Sequence, residues 1–503
     1  MTETFDERSA QSFELLLDAH FSPADRRARA VQQARLPSKI GGHDLLNTDA
    51  IAEPAHTSSF LACFPRMRQW FPIFAEVDLC SADPVPWIRE VRQAYESLRL
   101  RRSAIADVYT GYAQELHHYC DGDTTRQRFR PKDLASAKTV PPFRHLVDDS
   151  SMKPPAQRQL ASIVHHEGWL ACYEANQAAD SAAAASGTDT RRLREATRIV
   201  GTSQPRAGSI LRELPTSPDT RRQSSRWLWA MQRRYGLYVS QALPTFALLA
   251  SQGDTRYDPL GDHITGEGET DRSAPHRAAL RQWHGAHQAT AAHAIVLGDK
   301  AAPELYAIYN TGCVVDLAEE RMGKGGTDRC VELKVYTDLV ASGTSSPDET
   351  TYRGDTHAFG NTEEILIRKV LGVAARDGGR RWDASTGEGK VAEHRGDYHD
   401  AITNKRNTTD LVLHNPFGGF APGAERCLRM LSKRSIDTTV YENWAAADYC
   451  TYWGQRISGA IVIADAERCF KRLDALRGSA RAAHQPATQR RTGPHATPHT
   501  GRP

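Results

Sequence analysis

The sequence predicts an α+β fold whose sheet is confined to one part of the chain, and three observations predict it. Apolar residues recur at helical spacing through residues 10–175, and again from Thr190 to about Ala250. Two short β-branched runs, Val314-Val315-Asp316-Leu317 and Val331-Glu332-Leu333-Lys334-Val335, lie in a segment that mixes strands with helices. Helical spacing then returns from Ala424. The chain divides accordingly into a helical region (1–175), an alanine-rich linker (176–189), a helical connector (190–254), a mixed part with its C-terminal helices (255–477) and a disordered tail (478–503).

Each element has a local reason. Trp87 to Leu98 and Ala104 to Tyr119 are amphipathic, and Pro141-Pro142 and Pro154-Pro155 interrupt helical patterning. Ala178 to Gly187 is low in complexity, so it reads as a linker. Trp227-Leu228-Trp229-Ala230-Met231 centres the connector. In the mixed part, Asn361 to Ala375 is helical, its Asn361-x-x-Glu364 start having capping-box spacing. Ala424 to Ser432 and Asn443 to Leu476 are helical and offer Trp444, Trp453, Ile457, Ile461, Ile463, Phe470 and Leu473 to packing. Gly478 to Pro503 has His, Pro, Thr and Arg but no acids, the composition of a basic disordered tail.

Composition bounds the class. With 503 residues, 40% of them hydrophobic, the chain can form several cores. Its 52 arginines against 12 lysines suit phosphate contact, although a GC-rich genome accounts for the bias as well and is the preferred explanation. Nine cysteines without a Cys-x-x-Cys argue for a reducing compartment, against a disulfide framework and against a four-cysteine zinc site. The start lacks a basic, then apolar, leader, and no run approaches a membrane span. A soluble intracellular protein without a membrane partner is expected, and the basic tail leaves nuclear entry open.

The chemistry concentrates in the two β-branched runs. On a strand, Val331, Leu333 and Val335 face one side while Glu332 and Lys334 share the other. A hairpin would bring Asp316 beside Glu332. Two facing carboxylates repel unless a cation lies between them, and Mg2+ (or Mn2+) takes such oxygen ligands. The lysine would orient or deprotonate an attacking water. Acid-x-Lys by itself carries little, since it occurs twice, at Glu332/Lys334 and at Glu388/Lys390, where chance predicts about 1.5. The second copy lies in a glycine-rich loop, and the bland alternative for the first is an edge strand with a solvated ion pair. Other metal candidates are weaker. His284-x-x-His287 with His293 lies on an alanine-rich helix with no acid or cysteine beside it, which suggests solvent-facing or partly buried histidines. The pairs His117-His118 and His165-His166 diverge on a helix, and Glu304 is a surface acid unless its strand abuts Asp316.

Several short segments, taken in order, resemble a family. Leu36-Pro37-Ser38-Lys39-Ile40-Gly41-Gly42, then Gln204-Pro205-Arg206-Ala207-Gly208-Ser209 through Pro215-Thr216-Ser217-Pro218, then Gly261-Asp262-His263 with Arg272 and His276, resemble landmarks of the C-terminal region of non-LTR retrotransposon reverse-transcriptase polyproteins of protists and algae. Phe359-Gly360-Asn361-Thr362-Glu363-Glu364 and His414-Asn415-Pro416-Phe417-Gly418-Gly419 resemble later landmarks of the same region. The resemblance implies a restriction-endonuclease-like α/β core of the PD-(D/E)XK type, with a mixed sheet. On that pattern Asp316 and Glu332 would be the metal ligands, and these two with Lys334 the catalytic set. DNA would be the substrate and RNA a further nucleic-acid partner, with Arg272 and His276 as candidate phosphate contacts, although a helix-capping or surface role suits those two equally.

Departures from the pattern shape the expectation. The Cys-Cys-His-Cys zinc knuckle of the family has no counterpart, since Leu248 to Glu269 holds His263 and no cysteine. Val315 stands where the family commonly has proline. The polymerase is expected to be absent, because the one Asp-Asp, Asp148-Asp149, lacks the aromatic residue before it and runs into Pro154-Pro155. Three functional classes therefore stand after sequence reading: a Mg2+-dependent DNA endonuclease that nicks a target site, a catalytically inactive nucleic-acid-binding or structural remnant of the same polyprotein, and an unrelated helical interaction protein.

Overall fold

The computed structural model describes residues 2–119, 157–186, 194–212, 224–262, 273–290, 294–296, 316–319, 329–335, 408–437 and 445–484, apart from isolated positions. The fold is α+β: among the described residues helices dominate, and a four-stranded mixed sheet lies late in the chain.

The first helices are α1 (Thr2–Leu16), α2 (Ala24–Ala34), α3 (Thr48–Trp70), the single turn α4 (Pro72–Ala75) and α5 (Pro86–Tyr119). Asn47 starts α3 by accepting the Ala50 N–H on its side chain. The two amphipathic stretches expected at Trp87 to Leu98 and Ala104 to Tyr119 form one helix, because the intervening Arg99-Leu100-Arg101-Arg102-Ser103 has no breaker. Helix α6 (Gln157–Ala185) overturns the alanine-rich linker. Alanine is the best helix former, so a low-complexity alanine run continued from a helix extends it. The run also carries Asp180, whose carboxylate accepts the N–H groups of Glu195 (2.9 Å) and Ala196 (3.0 Å) and caps α7 (Arg194–Thr202).

Helices α8 (Ser224–Arg234), α9 (Leu243–Ser251) and α10 (Ser273–Gln288) precede the strands β1 (Ala294–Val296), β2 (Leu317–Glu319), β3 (Arg329–Val335) and β4 (Thr408–His414). Helices α11 (Pro422–Asp437) and α12 (Ala446–His484) follow. Helix α12 corrects the tail boundary. It continues through residues 478–484, where Ala480 is 2% exposed and its carbonyl accepts from Gln252 Nε2. The rest of the predicted tail lies outside the described residues, as do Pro141-Pro142, Asp148-Asp149, His263, Arg272, His293, Glu304, Asn361 to Ala375 and Glu388/Lys390.

The strands run in the order β1-β2-β3-β4. The β1-β2 and β2-β3 pairs are antiparallel, and β4 is parallel to β3. Parallel neighbours need a long crossover, and 336–407 is the connecting segment.

Three apolar cores do not follow the divisions expected from sequence. One joins Phe13 and Leu17 of α1 and its following turn to Trp229, Phe246, Phe470 and Leu473. A second packs α3, α5, α6 and α7 through Leu61, Val91, Tyr95, Leu160, Trp169 and Ile199. The third packs α10, α11 and α12 on the sheet through Trp283, Val331, Leu333, Val412, Leu428, Trp453 and Ile461. With 39 residues, α12 is roughly 58 Å long and serves the first and third cores with different halves. Residues 1–175 are therefore not one unit, since their beginning shares a core with the end of α12. A buried chain of charges reinforces that link. Arg26 meets Glu195 at 2.7 Å, Glu195 meets Arg198, Arg198 meets Asp262 at 3.1 Å, and Arg233 and Arg468 both grip Asp465 at 2.6 Å. Among the described residues, no helix is long and apolar enough to cross a membrane.

Candidate active site

Strand β3 lies between β2 and β4, but β2 covers only Arg329–Val331, so from Glu332 onward the strand is paired with β4 alone, and what departs from the edge-strand alternative is the burial of Glu332. Its residues pair with β2 through Leu317 to Val331 and with β4 from Arg329 to Thr408 through Val335 to His414. Val331 and Leu333 face the core of α10, α11 and α12. Glu332 and Lys334 therefore share the opposite face. Glu332 is 5% exposed and forms an ion pair with Lys334, whose side chain is 40% exposed. Burial of the carboxylate is tolerable because this cation lies on it.

Asp316 immediately precedes β2. Since Leu317 stands opposite Val331, one step back along the hairpin sets Asp316 opposite Glu332. Its Oδ2 accepts the Leu333 N–H at 2.8 Å, and the residue is buried. The structure thus brings Asp316, Glu332 and Lys334 to one stretch of the hairpin.

His276, expected as a phosphate contact or a surface group, joins them from α10. Its Nε2 donates to the Leu333 carbonyl at 3.1 Å and lies 3.3 Å from Asp316 Oδ2. Both backbone polar groups of Leu333 are thus satisfied by side chains. Arg272 lies outside the described residues.

The core face of the sheet carries polar groups that sequence reasoning did not find. His287 is fully buried and binds Glu319 through Nδ1, and Arg434 Nη1 donates to the other Glu319 oxygen at 3.0 Å. This corrects the expectation that no acid joins the His284/His287 pair. The available signal was the acid in Leu317-Ala318-Glu319, but its partner is a helix away. Burial opposes ionisation of Glu319, yet the His287 hydrogen bond and charge, with Arg329 and Arg434, hold its carboxyl down to about 2. Arg329 pairs with Asp410 nearby. Trp283 Nε1–H donates to His414 Nε2 at 2.8 Å, and burial keeps His414 neutral by pushing it down to about 3.

The donor set can be tested against a metal. Among the described residues, no group of three or more His, Cys, Asp or Glu side chains could hold an ion. That count falls short of a structural zinc site. Mg2+ is less demanding, being held by one or two carboxylates with water and substrate phosphates completing the shell. Two carboxylates across a hairpin suit that requirement.

The landmark segments converge elsewhere, at the end of β4. Asn415 Oδ1 accepts from the N–H groups of Phe417 (3.1 Å) and Gly419 (2.8 Å), and its Nδ2 donates to the Gly201 carbonyl at 2.9 Å. Phe420 N–H donates to the Pro205 carbonyl, and Ser203 Oγ to that of Ile40. Arg206 reaches Glu425 and the Cys450 carbonyl. Gly208 lies so close to the first segment that a Cβ there would be 2.0 Å from the Ser38 carbonyl oxygen. These segments build a structural junction. No family model, no curated protein and no solved structure matches the chain.

Proposed function

We propose that this chain is a Mg2+-dependent DNA endonuclease of the PD-(D/E)XK type, derived from the C-terminal region of a non-LTR retrotransposon polyprotein. The observation that carries the reading is the buried Glu332 on β3, with Lys334 on its face and Asp316 across the hairpin. A carboxylate is seldom buried this deeply unless it is paired or serves chemistry. The mixed sheet, with α10 before it and α11 after it, is compatible with the α/β core that the resemblance implies.

Asp316 and Glu332 would hold the cation. A bound Mg2+ or Mn2+ supplies charge neutralisation at the phosphate and a lowered pKa for water. Lys334, half-exposed at the end of the buried carboxylate, would orient the water that attacks phosphorus and stabilise negative charge developing there. On the family resemblance, DNA would be the substrate and RNA a further nucleic-acid partner.

The test is supercoiled plasmid incubated with the full chain and Mg2+. Nicking is expected from the wild type and should be lost in Asp316→Asn and Lys334→Ala. Nicking that persists unchanged in both variants sinks the assigned site. A wild type that binds duplex DNA without nicking it supports the inactive remnant instead.

A further inference from the structure

We infer that His276 is a positioning residue for the metal-binding carboxylate of Asp316, not a contact to DNA. The inference rests on the metal-centre reading above. Three features of the structure carry it.

First, the imidazole is delivered by a rigid element. Ala279, Trp283 and Ala286 are each fully buried on the stripe of α10 that faces the sheet, and His276 continues that stripe one turn towards the helix start. Its direction is therefore set by core packing, which leaves it 24% exposed at the rim.

Second, the ring is committed at Nε2. Leu333 O can only accept, so Nε2 carries the proton that reaches it at 3.1 Å, and the same N–H lies 3.3 Å from Asp316 Oδ2. A nitrogen engaged in this way cannot also clasp a phosphate.

Third, both contacts to Asp316 fall on one oxygen. Oδ2 receives the Leu333 N–H at 2.8 Å and the His276 edge at 3.3 Å, and among the described residues nothing bonds Oδ1. Pinning one carboxylate oxygen to the strand fixes the rotamer and assigns the other oxygen to the cation. Hydrogen-bonding partners of ligating groups typically account for about 10–100-fold in metal affinity.

The experiment uses the full chain and Mn2+ alone as the probe, with free Mn2+ read by electron paramagnetic resonance. Two further readouts accompany it: amide exchange of the β3 peptide in metal-free protein, and affinity for a short duplex without divalent metal. His276→Ala is expected to weaken Mn2+ binding about 10–100-fold, to speed exchange at the Leu333 amide, and to leave metal-free duplex affinity within about twofold. His276→Gln, which keeps an N–H donor at similar reach, should recover most of the Mn2+ affinity. If His276→Ala does not fold, the comparison is His276→Gln with the shorter His276→Asn, and the longer side chain should bind Mn2+ more tightly. Wild-type Mn2+ affinity in His276→Ala, alongside loss in Asp316→Asn, overturns the inference and leaves the metal centre standing. A fall in metal-free duplex affinity with Mn2+ binding intact overturns it in favour of a phosphate contact. If Asp316→Asn itself leaves Mn2+ binding unchanged, the metal-centre reading has failed and the role of His276 falls with it.

Discussion

Replacing Glu319 by Gln should destabilise the sheet core while leaving the candidate active site on the other face intact. Glu319 is fully buried and is bound by His287 and Arg434, with Arg329 one strand away. Its carboxyl lies near 2 against an ordinary 4.5, because those neighbours overcome the burial that alone would raise it. A difference of that size corresponds to about 3 kcal/mol of stability supplied by the ionised form. Removing one member of a buried ion pair typically costs about 3–5 kcal/mol, which agrees. The folded pKa is depressed, so the contribution is fully present above the unfolded value and is lost as pH falls towards 2. Urea unfolding followed by tryptophan fluorescence reads both effects, helped by Trp283, whose ring centre is 6.2 Å from that of His287. Glu319→Gln should lose about 3 kcal/mol at pH 7 and show a flatter acid limb than the wild type. Equal midpoints at pH 7, or parallel loss of stability between pH 4.5 and pH 2, would refute the argument.

Asp465→Asn leaves Arg233 and Arg468 buried without their shared carboxylate. It should cost about 3–5 kcal/mol in the same unfolding assay, and amide exchange should rise in both α8 and α12. Gly208→Ala drives a Cβ to 2.0 Å from the Ser38 carbonyl oxygen, where backbone meets backbone and neither can rotate away. A loss of about 3 kcal/mol is expected, with exchange rising first at residues 36–42; a variant as stable as wild type would show that the junction yields.

The division between what could be read from sequence and what could not follows the range of each interaction. Alternation in Val331-Glu332-Leu333-Lys334-Val335 settles which side chains share a face, because strand periodicity is local. It does not say over which residues the strand is flanked on both sides, since that depends on where β2 ends and on β4, which begins at Thr408 and is joined through 336–407. Composition misled at Ala178 to Ala185, where a linker and a helix differ only in what precedes the run, and where Asp180 finds its partners in α7. His276 and His287 were both visible as helix histidines, yet one meets Asp316 at the strand entry and the other Glu319 three residues later in the chain.

That pairing is itself an argument about the site. Helix α10 sends one histidine to the acid on each side of Leu317, so a single rigid helix registers both ends of β2 against β3. The ends differ in what surrounds them. At one end the Glu319 carboxylate is fully buried beneath His287, Arg329 and the partly exposed Arg434, whereas at the other the Asp316 side chain is 10% exposed and that of Lys334 40%. Two acids three residues apart thus do different things: Glu319 holds the sheet to its helices, and Asp316, just before β2, is held against Leu333 and His276 at the less buried end, where the proposed cation would lie.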